Sequence, residues 1–344
     1  MKETPPASVW LYAPNHDLND ATNYYVETIG IALDQLGWKL RHAPCLDLVP
    51  ARTPILTLDC KRALAAMLRC PGAPIWLWLQ GVVPEEAELQ RSSKFRKTYW
   101  TMFERWALPR VNGLFMVSEA MSTHYMQKYG FHQLPTFIMP CVNQSLNPDA
   151  FMVPGKYTRP TFVYAGSMHK WQCFDATLQT FAVVRKALPD ATLTILTSDQ
   201  ESARRRADEF GLFDLIFDYI PAEKLQLALR NFKYGFVLRE HHVVNAVATP
   251  TKVSSYMAAG VIPVTTTAVK DFAAKLSAVQ PLIMVDKPQP EKIAKAILDV
   301  ERAVLDPYRV LLEYKNLFDH YFDRSLYISA IAHFFCDTGL RPVA

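Results

Sequence analysis

Short apolar runs recur along the chain, separated by stretches whose apolar residues fall every three or four positions. In the first half the runs are SVWLYAP, PILTLD, APIWLWLQ, GLFMVSE and TFIMP, with helical periodicity through Tyr25 and Leu36 and again in a long stretch ending at Trp106. Alternation of this kind predicts a parallel sheet covered by helices. Pro140, Pro148, Pro154 and Pro160 then interrupt a segment of little apolar periodicity, which reads as a linker. The alternation restarts with TFVYAGS and continues through ATLTILT, YGFVLRE, VIPVTTT and PLIMVD, with helices between them and at the end. The expected organisation is α/β: a domain over 1–145, a linker over 146–160, a second domain over 161–318, and closing helices over 319–344.

Composition fits this reading. Among 344 residues, 50% are hydrophobic and 20% charged, which suits two globular cores and excludes a disordered chain. Six cysteines (Cys45, Cys60, Cys70, Cys141, Cys173, Cys336) contain no Cys-x-x-Cys pair and are expected as reduced core thiols. The longest apolar runs fall short of the ~20 residues that span a bilayer, and the start MKETPPAS lacks a charged-then-apolar signal pattern, so a cytoplasmic chain is expected.

The net charge of +4 is too small to argue for nucleic acid, but its distribution is uneven. Residues 88–110 hold six bases (Arg91, Lys94, Arg96, Lys97, Arg105, Arg110) against Glu88 and Glu104. On a helix, Phe95, Tyr99, Met102, Phe103 and Trp106 form one stripe, and Lys94, Lys97, Thr98, Thr101 and Arg105 another. The apolar stripe reads first as core contact. The second reading is a basic aromatic helix, flanked by Arg96 and Trp100, lying on an anionic membrane surface at the inner face of the membrane.

Candidate chemistry concentrates in the second domain. The stretch TPTKVSSYMAAGVIPVTTT predicts a helix capped by Thr249, with Pro250 at its first position, Gly260 ending it, and Val253, Tyr256 and Met257 on its apolar face. A helix front at the carboxyl edge of a parallel sheet offers free N–H groups and the positive dipole end, and Lys252 adds charge there, so a diphosphate would be stabilised. A second loop suited to phosphate follows TFVYAG, where Gly166 lets a ligand approach the backbone, Ser167 can donate a hydrogen bond and Lys170 supplies a cation. Gly-x-Gly-x-x-Gly, the P-loop, Asp-x-Asp and His-x-x-x-His are all missing, which argues against dehydrogenase, P-loop ATPase and metal-site readings.

YAGSMHKWQ, LREHHVVNAVATPTKVSSYMAAGVIPV and VSEAMSTHYMQKYG resemble the donor-side and hinge-side motifs of bacterial glycosyltransferases of family 4, and WLWLQGVVPEE is similar to a segment in a subgroup of them. The resemblance, spread over residues 76–266, implies a GT-B fold: two Rossmann-like domains facing each other across a cleft. It further implies a retaining, metal-independent enzyme of hexosyltransferase type that uses no cofactor. Its second domain would bind a nucleotide sugar of UDP or GDP type, its first a glycan or lipid-linked glycan acceptor, in bacterial surface polysaccharide synthesis. Carried over, Gly166, Ser167, Lys170, Thr249, Pro250, Thr251 and Lys252 would hold the diphosphate. Glu240 would stand near the donor sugar, with Asn245 a weaker candidate there.

The chain also departs from the family pattern. The family's paired glutamates are replaced by Val247 and Ser255, the latter falling where the ribose hydroxyls are usually held. The glycine-rich acceptor loop is replaced by PNHDLNDATN, in which Asn15, His16, Asp17 and Asn23 could meet an acceptor, and Gln80, followed by Gly81, stands where a histidine is common. Two other readings therefore stay open: a non-catalytic GT-B-like binding or partner protein, and a nucleotide-sugar epimerase.

Overall fold

A computed structural model describes residues 7–18, 20–91, 93–130 and 133–343. The chain forms two compact units: one of residues 1–143, 247–249 and 323–344, the other of residues 144–246 and 250–322.

The first unit begins with β1 (Ser8–Tyr12), α1 (Asp20–Asp34), β2 (Lys39–Ala43), β3 (Ile55–Thr57), α2 (Cys60–Arg69) and β4 (Ile75–Leu79). It continues with α3 (Val83–Arg91), α4 (Lys94–Ala107), β5 (Gly113–Met116), α5 (Glu119–Tyr129) and β6 (Thr136–Ile138). Its sheet is parallel throughout, in the order β2-β1-β3-β4-β5-β6. β4, IWLWL, is buried at every position, as expected of an inner strand covered on both faces. Trp78 stacks on Tyr25 with ring centres 4.0 Å apart, so α1 is fixed against that strand. Helix starts follow from side-chain caps: Asp59 accepts from the Arg62 N–H and Ser118 from the Met121 N–H.

The second unit contains β7 (Thr161–Ala165), α6 (Phe174–Ala187), β8 (Thr192–Leu196), α7 (Gln200–Glu209), β9 (Ile216–Asp218), α8 (Ala222–Leu229) and β10 (Tyr234–Val237). Then come α9 (Val243–Ala246), α10 (Thr251–Ala258), β11 (Ile262–Thr266), α11 (Lys270–Lys275), β12 (Ile283–Val285), α12 (Pro290–Glu301) and α13 (Pro307–Leu317). The order β12-β11-β10-β7-β8-β9 is again all parallel. The chain then returns to the first unit as α14 (Ser325–Asp337), whose Ile331 and Phe335 join the core beside Trp76.

Residues 146–160, expected as a linker, pack into the second unit. Phe151 and Tyr157 are buried, and the Lys156 ammonium donates to the carbonyls of Ala150, Arg230 and Ala259 at 3.1, 3.0 and 2.5 Å. The prolines here end elements without freeing the chain, because this segment supplies partners for carbonyls at the end of α10.

α4 requires a correction. The stripe expected as core contact is solvent-facing: Phe95, Tyr99, Met102 and Trp106 are all exposed. The inward side of the helix is instead held by a carboxylate. Glu104 is 3% exposed, accepts from the Tyr125 and Tyr129 hydroxyls, and pairs with Lys128 at 2.9 Å. A buried acid whose hydrogen bonds are satisfied by α5 ties the helix to that neighbour, and it leaves the aromatic edge outside.

Candidate functional site

In the second unit the site begins where β7 ends. Gly166 has φ 134°, a conformation that favours glycine, and its N–H donates to the Leu196 carbonyl at 2.8 Å. A Cβ at this position would run into the Lys252 ammonium. α10 is brought close by a second glycine: a Cβ at Gly235 of β10 would collide with the Tyr256 ring, whose hydroxyl accepts from the Ala165 N–H at 2.9 Å. Tyr256 thereby ties α10 to the end of β7 and to β10.

Lys252 lies in this corner. Its ammonium donates to Gln172 Oε1 at 2.7 Å and sits 4.8 Å from the centre of the Tyr164 ring. Burial holds its pKa well below the usual lysine range, and the Arg239 guanidinium pushes the same way. Arg239 is itself 4% exposed at the end of β10, and its charge is likewise disfavoured by burial. No carboxylate among the described residues pairs with either cation. A buried guanidinium and a half-buried ammonium without an acid form a site that an anion would stabilise. Among the described residues no side chain caps α10, whose first turn holds Lys252.

The other expected donor residues are spread more widely. Ser167 and Lys170 are exposed on the loop after Gly166; the Ser167 carbonyl accepts from the Tyr164 hydroxyl at 2.5 Å, and Lys170 opens a short 3-10 turn. Thr251 is half-buried in the first turn of α10, and Pro250 is the N-cap. Thr249 does not cap α10, contrary to expectation: its hydroxyl accepts from the Cys141 N–H at 3.1 Å within the first unit. Ser255 is buried and donates to the Thr251 carbonyl at 2.8 Å, as Ser254 does at 2.9 Å. Glu240 is exposed, and Asn245 is buried with its amide donating to the Glu240 carbonyl at 2.9 Å, so Asn245 fixes the backbone on which Glu240 stands. Arg239 and Gln172 were not expected. The only sequence signal for them was their place at a strand end and in the loop YAGSMHKWQ.

The first unit has a cavity of about 440 Å³ at the carboxyl ends of β1, β3 and β4. His16, Gln80 and Gly81, three expected acceptor residues, line it, together with the Asp59–Arg62 ion pair and Glu86. Glu86 Oε1 accepts from the Val82 N–H at 3.2 Å, and a Cβ at Gly81 would occupy the place of that carboxylate. Burial pushes the Glu86 pKa up against the effect of that hydrogen bond, and Glu85 and Glu104 add to the rise. Asn15 is exposed in the turn before α1 and Asn23 is exposed on α1; neither lines the cavity. The side chain of Asp17 lies outside the described residues. Glu86, Asp59 and Arg62 were not foreseen, since each doubles as ordinary helix-start chemistry.

Among solved structures, the chain is similar to a sucrose-phosphate synthase from Thermosynechococcus elongatus, with TM-score 0.67 and 15% identity, covering 96% of this chain and 97% of that one. It is similar to WaaG, a glycosyltransferase involved in lipopolysaccharide biosynthesis, with TM-score 0.67 and 12% identity, covering 97% and 100%. A TarM structure from S. aureus in complex with fondaparinux, alpha-GlcNAc-glycerol and UDP gives TM-score 0.60 and 12% identity. That match covers 83% of this chain, which spans 54% of the TarM chain. No protein-family model and no curated protein sequence matches the chain. The likeness establishes the fold: α/β, of the GT-B kind, with two parallel six-stranded sheets.

Proposed function

We infer that the protein is a retaining glycosyltransferase of family 4 type. It moves a hexose from a UDP- or GDP-sugar to a glycan or lipid-linked glycan, in bacterial surface polysaccharide synthesis at the inner face of the membrane. The observation that carries this reading is the acid-free pair of cations, half-buried Lys252 and buried Arg239, beside Gly166 and the uncapped front of α10.

In such a transfer, negative charge gathers on the departing diphosphate as the sugar–oxygen bond breaks. Fixed cations and backbone N–H groups aimed at that position stabilise the transition state by several kcal/mol. Lys252 and Arg239 supply that charge from side chains, Ser167 and Thr251 add hydroxyl donors, and Lys170, exposed on the same loop as Ser167, adds a further cation. Glu240, held by Asn245 through its backbone, stands toward the donor sugar. The acceptor hydroxyl is held in the first unit's cavity by Glu86, with His16, Gln80 and Gly81 shaping the wall. With charge supplied in this way, turnover is expected to be metal-independent.

Ser255 gives a second reading some weight. Its hydroxyl is committed to the Thr251 carbonyl, so it offers less to a ribose than a glutamate would. A nucleotide-binding protein without transfer activity is the alternative.

Thermal melting with UDP and GDP separates these readings from a protein that binds no nucleotide. A ligand at about 100 times its Kd stabilises by roughly 2.7 kcal/mol, and Lys252→Met should reduce the shift without removing it. Nucleotide release from a UDP- or GDP-sugar in the presence of lipid-linked acceptors, persisting in EDTA, then distinguishes transfer from binding alone. An epimerase would convert the donor with no acceptor present. The glycosyltransferase reading fails if neither nucleotide shifts the melting temperature.

A further inference from the structure

α4 carries an apolar edge that its own unit leaves uncovered. Phe95, Tyr99, Met102 and Trp106 recur at intervals of four, three and four residues, so they share one helix face. Their exposures are 81%, 41%, 49% and 58%. Single exposed hydrophobics are ordinary on a protein surface, whereas four large ones in a line mark an interaction site. Tyr99 packs edge-on against Phe103 at 4.9 Å, which fixes the middle of the edge.

The charges on the helix indicate what covers it. Lys94, Arg96 and Arg105 are exposed beside the edge, and Glu104, the helix's only acid, is buried. The solvent side of α4 therefore combines aromatic and cationic groups with no exposed carboxylate. An anionic bilayer complements both. Tyrosine and tryptophan settle at the headgroup level, phenylalanine and methionine reach the acyl boundary, and the cations meet lipid phosphates.

The helix is also tied to the cavity of the same unit. The Tyr125 hydroxyl donates to Glu104 at 2.8 Å and lies 3.3 Å from the Gly81 carbonyl. Lys128 joins Glu104 to Glu85 of α3, the helix whose Val83 and Glu86 line the cavity. We propose that α4 docks the protein on an anionic lipid surface by its Phe95–Trp106 edge, and that the acceptor admitted to the linked cavity is one carried by a lipid. The acceptor half of this statement rests on the transfer reading above; the docking half does not.

Co-sedimentation with phosphatidylcholine vesicles containing about a third phosphatidylglycerol tests it, with pure phosphatidylcholine as control. The wild-type protein should sediment with the anionic vesicles only. The double variant Phe95→Ser, Trp106→Ser and the triple variant Lys94→Glu, Arg96→Glu, Arg105→Glu should each weaken sedimentation roughly tenfold or more. Both should keep the wild-type melting temperature, which shows that they fold. Wild-type protein left in the supernatant, or variants that sediment equally well, would overturn the proposal. A wild-type dimer in light scattering that both variants convert to monomer would overturn it too, since a second copy would then cover the edge. The nucleotide melt on the same preparations separates the two halves: vesicle binding with no nucleotide response supports docking and overturns the lipid-acceptor assignment.

Discussion

Lys252 is held in a state that its proposed ligand would reverse. Its pKa is depressed by burial and by Arg239, so the folded chain favours neutral lysine at pH values where the unfolded chain is still protonated. The contribution of Lys252 to stability therefore falls as pH drops below the unfolded value of about 10.4. A diphosphate restores the protonated form, so binding takes up a proton wherever the lysine is neutral beforehand. Affinity for UDP should accordingly decrease as pH rises toward the ordinary lysine value of about 10.4. The apparent binding enthalpy, measured by calorimetry, should differ between phosphate and Tris buffers, and Lys252→Met should lose both effects. An affinity that is flat with pH would mean that Lys252 does not meet the phosphates. The sequence alone brought Lys252 and Gly166 into one site, because each sits at a recognisable turn. It could not show that Arg239 faces the same corner, since a strand-end arginine beside Glu240 reads equally well as an ion pair. Nor could it foresee the fate of Thr249, whose hydroxyl meets Cys141 because the chain enters the first unit for residues 247–249.

Periodicity along an element reports its faces more reliably than what covers them. Among the described residues, ten of the twelve strands follow from apolar runs, and the two that do not, β2 and β9, are mostly exposed strands at the sheet edges. An edge strand is half solvated and carries charge, so KLRHA and IFD look like connections. α4 shows the converse. Its stripe was legible, but its outward orientation depends on Glu104 finding partners on α5, a long-range contact that local spacing does not encode. α10 is set by the opposite device, an absent side chain. Gly235→Ala would force a Cβ into the Tyr256 ring and lift the helix from β7 and β10. A destabilisation of about 1–3 kcal/mol is expected, read as a lower melting temperature. The same variant should bind UDP more weakly, because Tyr256 also fixes Ala165, the residue before Gly166. Loss of stability with unchanged affinity would show that α10 does not position the site.

At the scale of the whole chain, each unit has a core of its own, yet neither is a continuous segment. The first unit is completed by residues 323–344: Ile331 and Phe335 of α14 lie in its core, and the Trp76 indole N–H donates to the Thr338 hydroxyl at 2.7 Å. A Cβ at Gly113 of β5 would meet the Phe334 ring, so that strand is shaped for this helix. The second unit ends at residue 322 and holds Gly166, Arg239 and Lys252 entirely within itself. A chain stopped after Phe322 should therefore lose the cooperative melt of the first unit, because the uncovered Trp76 and Phe115 face would sit in water at a cost of roughly 25 cal/mol per Å². Limited proteolysis of that chain should leave a resistant fragment beginning near residue 144, and this fragment should still be stabilised by UDP, since its core and its two cations remain. A truncated chain that melts as the full one does would refute the assignment of α14 to the first core. A resistant fragment that ignores UDP would show that the second unit cannot hold the nucleotide alone.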